Sequence, residues 1–188
     1  NWLTPEMISL ITHRYAQTGS YGSFDTYEPV ARGERRDTQV PFGELSLLGW
    51  WLQSPQNTQQ YQPGERLVVT LEWLALQASD QDFYVNLSLR NSNGDVVRSS
   101  NAPLVAGALR PSQWGGDPIE DMHTLVVPFG EADGEFSLWL TLLDEQETAV
   151  SEPQRLTTLN IAQQNGRMMG EQGYFVPEQM LQAWIVEG

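Results

Sequence analysis

The sequence contains no cysteine and no lysine. Without thiols there is no disulfide, no thiolate metal site and no cysteine nucleophile; without lysine amines there is no Schiff base and no phosphate-loop lysine. A cysteine-free chain tolerates either redox state, so this absence leaves the compartment open. No window approaches the roughly 18 consecutive apolar residues that a membrane span requires, and direct membrane insertion by this chain is not expected. Positive charge is scarce as well: ten basic residues, all arginine, stand against 24 acidic ones for a net charge of −14. Such a field repels phosphate backbones and anionic lipid, which removes nucleic acid from the expected partners. The start, Asn1-Trp2-Leu3, has neither an initiator methionine nor the apolar region of a signal peptide. With 188 residues, enough for one domain or one domain with an appendage, this predicts a soluble piece of something longer.

What is present divides into three parts. Residues 1–38 read as an N-terminal helix and a connecting segment: Thr4 can cap, Pro5 suits the first helical position, and Met7, Ile8, Ile11 and Tyr15 recur at helical spacing until Gly19 stops the pattern. The following stretch, including "RGERRD", has no sustained period. Residues 39–162 read as a β-sandwich domain, because the dominant period there is two. In "RLVVTLEWLA" Leu67, Val69, Leu71 and Trp73 form one face, and in "DFYVNLSLRN" Phe83, Val85, Leu87 and Leu89 alternate with Tyr84, Asn86, Ser88 and Arg90. This polar-out alternation is the mark of half-buried antiparallel strands. Asn93-Gly94 supplies a hairpin turn back into "DVVRSS", Asp133-Gly134 leads into "EFSLWLTLL", and Gly49 suits a bulge within "ELSLLGWWLQ". About seven or eight short strands joined by turn signals predict an antiparallel sandwich of immunoglobulin-like or jelly-roll-like type. Residues 163–188 form a tail whose apolar "AWIV" suits an added strand.

Several residue groups are candidates for chemistry. "WGGDPIEDMH" brings Asp117, Glu120, Asp121 and His123 close together on a turn-rich segment. Hard oxygen ligands on a loop are what Ca²⁺ takes, although the spacing fits no EF-hand and the same carboxylates can cap turns. Asp117 and Glu120 could also serve a glycoside hydrolase, which needs two carboxyl groups roughly 5 to 9.5 Å apart across a cleft. His13 and His123 belong to no metal-binding spacing. No nucleophile elbow, dinucleotide loop or Walker sequence occurs. Asn86-Leu87-Ser88 fits a glycosylation acceptor by letter but falls within a strand. Arg32, Arg35 and Arg36 form a basic cluster that could meet phosphate or sulfate, or lie solvated among Glu34 and Asp37.

The seven tryptophans are the most informative part of the composition. Trp73 falls on the core face. By strand parity Trp139 faces away from Leu138 and Leu140, and one of Trp50 and Trp51 must do the same. Outward aromatics beside polar groups are what a sugar-stacking platform requires. Burial beneath the N-terminal segment or the tail explains them too, and on the residues alone it is the favoured account.

The order and spacing of "YQPGERLVVTLEWLA", "DFYVNLSLRNSNGDVV", "PSQWGGDPIEDMHTLVVP" and "GEFSLWLTLLD" resemble a known family. They look like the C-terminal extracytoplasmic β-sandwich module of large bacterial polytopic glycosyltransferases similar to dolichyl-phosphate-mannose protein mannosyltransferases. The likeness covers roughly residues 40–162 and rests on Tyr61, Pro63, Gly64, Trp73, Gly94, Trp114, Asp121, His123 and Asp144, among others. Phe136 stands where the family commonly has Tyr, and Thr141-Leu142-Leu143 where Gly-Leu-Tyr is usual. The motifs are mostly strand and turn grammar, so they imply a setting and not a reaction. The resemblance implies that this module carries no catalytic residue, that it sits outside the cytoplasm tethered through upstream membrane segments, and that Asn1 follows a point where membrane-embedded sequence ended. It also implies that Trp114, Asp121 and His123 anchor the long connection over residues 101–120.

The expectation is therefore a non-catalytic accessory module needing no cofactor, whose partner is a glycan or the parent membrane domain. Trp139, Trp50 and Trp51 are the candidate carbohydrate contacts. A secreted or cell-surface adhesion sandwich is the alternative, and an acidic-residue hydrolase a third.

Overall fold

The computed structural model describes residues 15–21, 24–29, 33–53, 60–107, 109–129 and 133–162. Strands β1 (Tyr15–Tyr21) and β2 (Phe24–Pro29) form an antiparallel hairpin of their own. Most of the expected N-terminal helix lies outside the described residues, but its last turn, from Tyr15, is strand. The segment read as an aperiodic connection holds β2 and the start of β3 (Arg36–Phe42). Its irregular pattern has a local cause, since the pairings of both β1 and β3 shift register part-way along.

Nine further strands make two sheets packed face to face. One has the order β3, β4 (Leu45–Gln53), β6 (Arg66–Ala75), β9 (Ile119–Val126). The other has the order β5 (Gln60–Tyr61), β11 (Gln154–Ile161), β10 (Gly134–Leu143), β7 (Tyr84–Arg90), β8 (Val96–Pro103). All neighbours are antiparallel except the short β5, which runs parallel to β11. The sandwich expected from the alternation is therefore what the chain forms, with β3 and β5 as strands too irregular or too short to show in the pattern.

Alternation positions the core. Leu67, Val69, Leu71 and Trp73 of β6 meet Val85, Leu87 and Leu89 of β7 and Leu138, Leu140 and Leu142 of β10, all at 1% exposure or less. Burying each such side chain is worth about 1.5 to 3 kcal/mol. A bulge in β4 between Leu47 and Gly49, where the sequence places it, leaves Leu48 as the extra residue. On the open side between the sheets, the Arg36 guanidinium lies 4.9 Å from the Trp50 ring centroid and donates to Thr157 Oγ1 of β11 at 3.3 Å.

The β7–β8 turn forms as expected around Asn93-Gly94, with a difference of type. Gly94 alone has positive φ, 89°, and its N–H bonds the Asn91 carbonyl at 3.0 Å, while Asn91 Oδ1 accepts from the N–H groups of Asn93 and Asp95. Nothing lies within 4 Å of a Cβ added at Gly94. Gly94→Ala is therefore a pure backbone substitution, expected to cost about 1 to 2 kcal/mol in a denaturant titration. At Gly64, φ 84°, an added Cβ would also meet the Phe129 ring at 2.5 Å, and Gly64→Ala should cost more.

Candidate functional site

The connection between β8 and β9 is tied down at several points. It holds a left-handed turn over Leu104–Gly107 and a short 3-10 turn over Pro111–Gln113. Leu104 N–H bonds the Phe83 carbonyl at 2.8 Å and Ser112 N–H bonds the Ser79 carbonyl at 2.9 Å. Val105 and Ala106 both have positive φ, a strained state for residues with a Cβ, and Val105 is buried. Trp114 is buried within the core cluster.

Strand β9 begins at Ile119, so Glu120, Asp121 and His123 stand on a strand and not on the turn-rich segment that the sequence suggests. The reason lies in its inward positions, where Asp121 pairs with Leu71 and His123 with Val69. Polar residues at core positions hide the period. Asp121 is 3% and His123 6% exposed, and His123 Nε2 lies 2.5 Å from Asp121 Oδ2. A carboxylate only accepts, so with Asp121 ionised Nε2 carries the shared proton.

This placement dismantles the candidate calcium set. Asp117 is exposed on the turn after Trp114, and Glu120 and Asp121, adjacent in one strand, point to opposite sides of the sheet. Among the described residues no three acidic or histidine side chains converge as metal ligands. Glu120 instead stands opposite Glu72 on the outer side of β6. Asp117 and Glu120 do not line the cleft described below.

The three candidate carbohydrate-contacting tryptophans separate. Trp50 pairs with Leu71 on the core face and is 5% exposed, so it is no platform. Trp51 pairs with Thr70 on the outer side, as parity demands, but is 7% exposed, with the Arg35 guanidinium 5.7 Å from its ring centroid. Arg35 also pairs with Glu72 and Asp37. Two arginines of the "RGERRD" cluster, both exposed as a solvated run would have them, thus also lie over tryptophans; Arg32, like His13, lies outside the described residues.

Trp139 is the one that remains half-exposed, on the outer face of the β5-β11-β10-β7-β8 sheet. Its Nε1 donates to Ser137 Oγ at 2.9 Å, and the Arg90 guanidinium lies over one ring face at 4.6 Å from the centroid. Both contacts fix the indole's orientation before any ligand arrives. Register fills in the surroundings. Ser88 stands opposite Trp139 on β7 and Arg155 opposite it on β11, with Thr141 and Asn86 as the next outward pair; Ser88 and Thr141 are buried beneath their neighbours on this face, whereas Arg155 is exposed. Asn86 Nδ2 donates to Asn101 Oδ1 on β8, so the acceptor sequence Asn86-Leu87-Ser88 has its amide engaged in a cross-strand bond.

This row continues through Tyr84 into a cleft of about 150 Å³ at the end of the sandwich, lined also by Phe83, Leu104, Leu109 and Arg110. There Arg110 makes a two-pronged ion pair with Asp82, both bonds 2.9 Å, and Asp82 raises the Arg110 guanidinium above its ordinary pKa. The alternation of each strand shows in the sequence, but the lateral register that puts Trp139 between Ser88 and Arg155 does not. Arg90, Arg155 and Asn101 were therefore missed as neighbours of Trp139.

Among the described residues no helix is long and apolar enough to cross a membrane. No family model and no curated protein matches the chain. Among solved structures, the chain is similar to the C-terminal domain of wzt at 11% identity, over 85% of this chain and 89% of that one, with a TM-score of 0.48. It is similar to Spo0M, a sporulation control protein from Bacillus subtilis, at 13% identity over 65% of this chain and 50% of that one, TM-score 0.41. Chicken MD-1, solved with lipid IVa, is similar at 14% identity over 68% and 98%, TM-score 0.32. By its own strand pairing the chain is a mainly β, two-sheet sandwich.

Proposed function

We propose that this chain is a non-catalytic glycan-binding module whose binding surface is the outer face of the five-stranded sheet around Trp139. The observation that carries this reading is a pre-oriented, partly exposed indole with the exposed Arg155 guanidinium and the Asn86–Asn101 amide pair on the same face. Pyranose C–H faces pack on flat aromatic rings while hydroxyls seek such neighbours, and a cleft continuous with the platform suits an extended oligosaccharide. From Tyr84 to Arg90 the row is about 20 Å long at the usual rise per strand residue. The resemblance of residues 40–162 to extracytoplasmic modules of bacterial glycosyltransferases supports a setting outside the cytoplasm, as an accessory to a membrane protein that acts on sugars. Of the candidate acids, Asp121 is buried against His123, and Glu120 points to the opposite side of β9, which favours binding over hydrolysis.

The test is calorimetric titration with common hexoses and their oligomers. Saturable binding to at least one is expected, and Trp139→Ala should weaken it about tenfold or more, the loss of roughly one aromatic stacking contact. Failure to saturate with any sugar would remove the glycan reading and leave a protein-contact module.

A further inference from the structure

We infer that the face around Trp139 takes an acidic glycan, one whose sugars carry oxyanion substituents, and that Arg90 and Arg155 receive them; this rests on the glycan reading above. The starting observation is how differently the arginines of this acidic chain are used. Arg35 is paired with Asp37 and Glu72, and Arg110 with Asp82. Arg90 and Arg155, like Arg36, Arg66 and Arg98, have no carboxylate partner among the described residues, although acidic residues outnumber basic ones 24 to 10; what sets these two apart is that they flank Trp139. Arg155 is exposed, and among the described residues its guanidinium donates to the Thr158 hydroxyl. Arg90 is engaged with the Trp139 ring, and its Nε is buried without a hydrogen-bond partner.

Register places these two cations on either side of the same indole. Arg155 on β11 is directly opposite Trp139, and Arg90 on β7 is opposite Ser137, two residues along β10. Two strand spacings separate β7 from β11, about 10 Å. A sugar stacked on Trp139 therefore has a guanidinium within reach of its substituents on each side. Guanidinium groups bind carboxylate and phosphate through parallel N–H donors, and a neutral sugar leaves both charges uncompensated at the interface. Glu135, on the same face of β10, is exposed and makes no ion pair among the described residues.

The net charge of −14 opposes an anionic ligand at long range. Salt screens that field over about 8 Å at physiological ionic strength, whereas the contacts to Arg90 and Arg155 are made at hydrogen-bond distance. The distant charge slows approach; the local pair decides which sugar stays.

The experiment compares oligogalacturonate with its methyl ester, which keeps the sugar rings and removes the charges, alongside phosphorylated mannose oligomers and their unphosphorylated counterparts. Each is titrated into the wild-type chain and into Arg155→Gln, Arg90→Gln and Trp139→Ala, all checked for an unchanged denaturation midpoint. Arg155→Gln is the decisive variant, because Arg155 is exposed and its removal leaves Trp139 supported by Arg90 and Ser137. The expectation is that a charged oligomer binds at least about tenfold more tightly than its neutral form, with most of that margin lost in Arg155→Gln and Arg90→Gln. Binding should also weaken as salt rises from about 50 to 500 mM. The uronate and phosphate arms distinguish the source of the oxyanion. Equal affinity for charged and neutral forms would overturn this inference while leaving the glycan reading intact; no binding by any oligomer would overturn both.

Discussion

His123→Ala should destabilise the fold by about 3 to 5 kcal/mol, among the largest effects available from one side chain. The substitution removes the partner of Asp121, which is 3% exposed and faces the space between the sheets beside Leu71. A carboxylate left there loses its hydrogen bond and cannot recover water. Asp121→Ala should cost less, since a neutral imidazole tolerates burial better than an unpaired carboxylate. Replacing both residues with leucine, which continues the inward pattern of Ile119 and Leu125, should recover most of the loss, because paired charges in a core are often no better than apolar residues of similar volume. Equilibrium denaturation of the two single variants and the double variant forms the test. A loss below about 1 kcal/mol in His123→Ala would mean that Asp121 finds another partner or water. We propose that the pair holds edge strand β9 against the sandwich and, with buried Trp114, anchors the β8–β9 connection.

Trp73→Ala should cost a comparable amount, about 3 to 5 kcal/mol, through a different mechanism. Trp73 has 0% exposure, lies opposite Leu47 and Ile119, and meets Phe42 edge to face at a centroid distance of 5.4 Å. Alanine leaves a cavity among rigid strands that cannot close over it. Trp73→Phe keeps most of the ring and discards an indole Nε1 that is buried without a hydrogen-bond partner. It should therefore cost less than half as much as alanine, on the order of 1 to 2 kcal/mol. Thermal or denaturant midpoints of the two variants decide the matter; a phenylalanine as damaging as alanine would show that the indole N–H is satisfied after all.

These two residues also mark where the sequence is easy and where it is hard to read. Trp73 sits in the regular alternation of β6, and strands of that kind announce themselves along with their inward face. β9 does not, because Asp121 and His123 occupy its inward positions, and a period defined by hydrophobicity breaks where a polar pair is buried. β1 and β3 carry register shifts that spoil the period in another way. Parity correctly sends Trp51 and Trp139 outward, yet outward is not the same as exposed. Arg35 lies over Trp51, and Trp139 is half-exposed beside Arg90, a distinction set by which arginine lies across from which indole. That lateral register is a property of strand pairing, and one sequence does not display it. For the same reason the string Asp117, Glu120, Asp121 suggests a cluster on paper, while a strand turns adjacent members to opposite faces.

If a sugar binds on the outer face around Trp139, the indole N–H resonances report it. Trp139→Phe assigns the Trp139 signal by its disappearance from a heteronuclear NMR spectrum. Titrating an oligosaccharide that binds should then shift the wild-type Trp139 signal and the backbone amides of Ser88, Arg90 and Thr141, while the signals of core-buried Trp50, Trp73 and Trp114 stay in place. Shifts confined to the Arg110 cleft or to the β3-β4-β6-β9 sheet, with Trp139 unmoved, would contradict binding on that face.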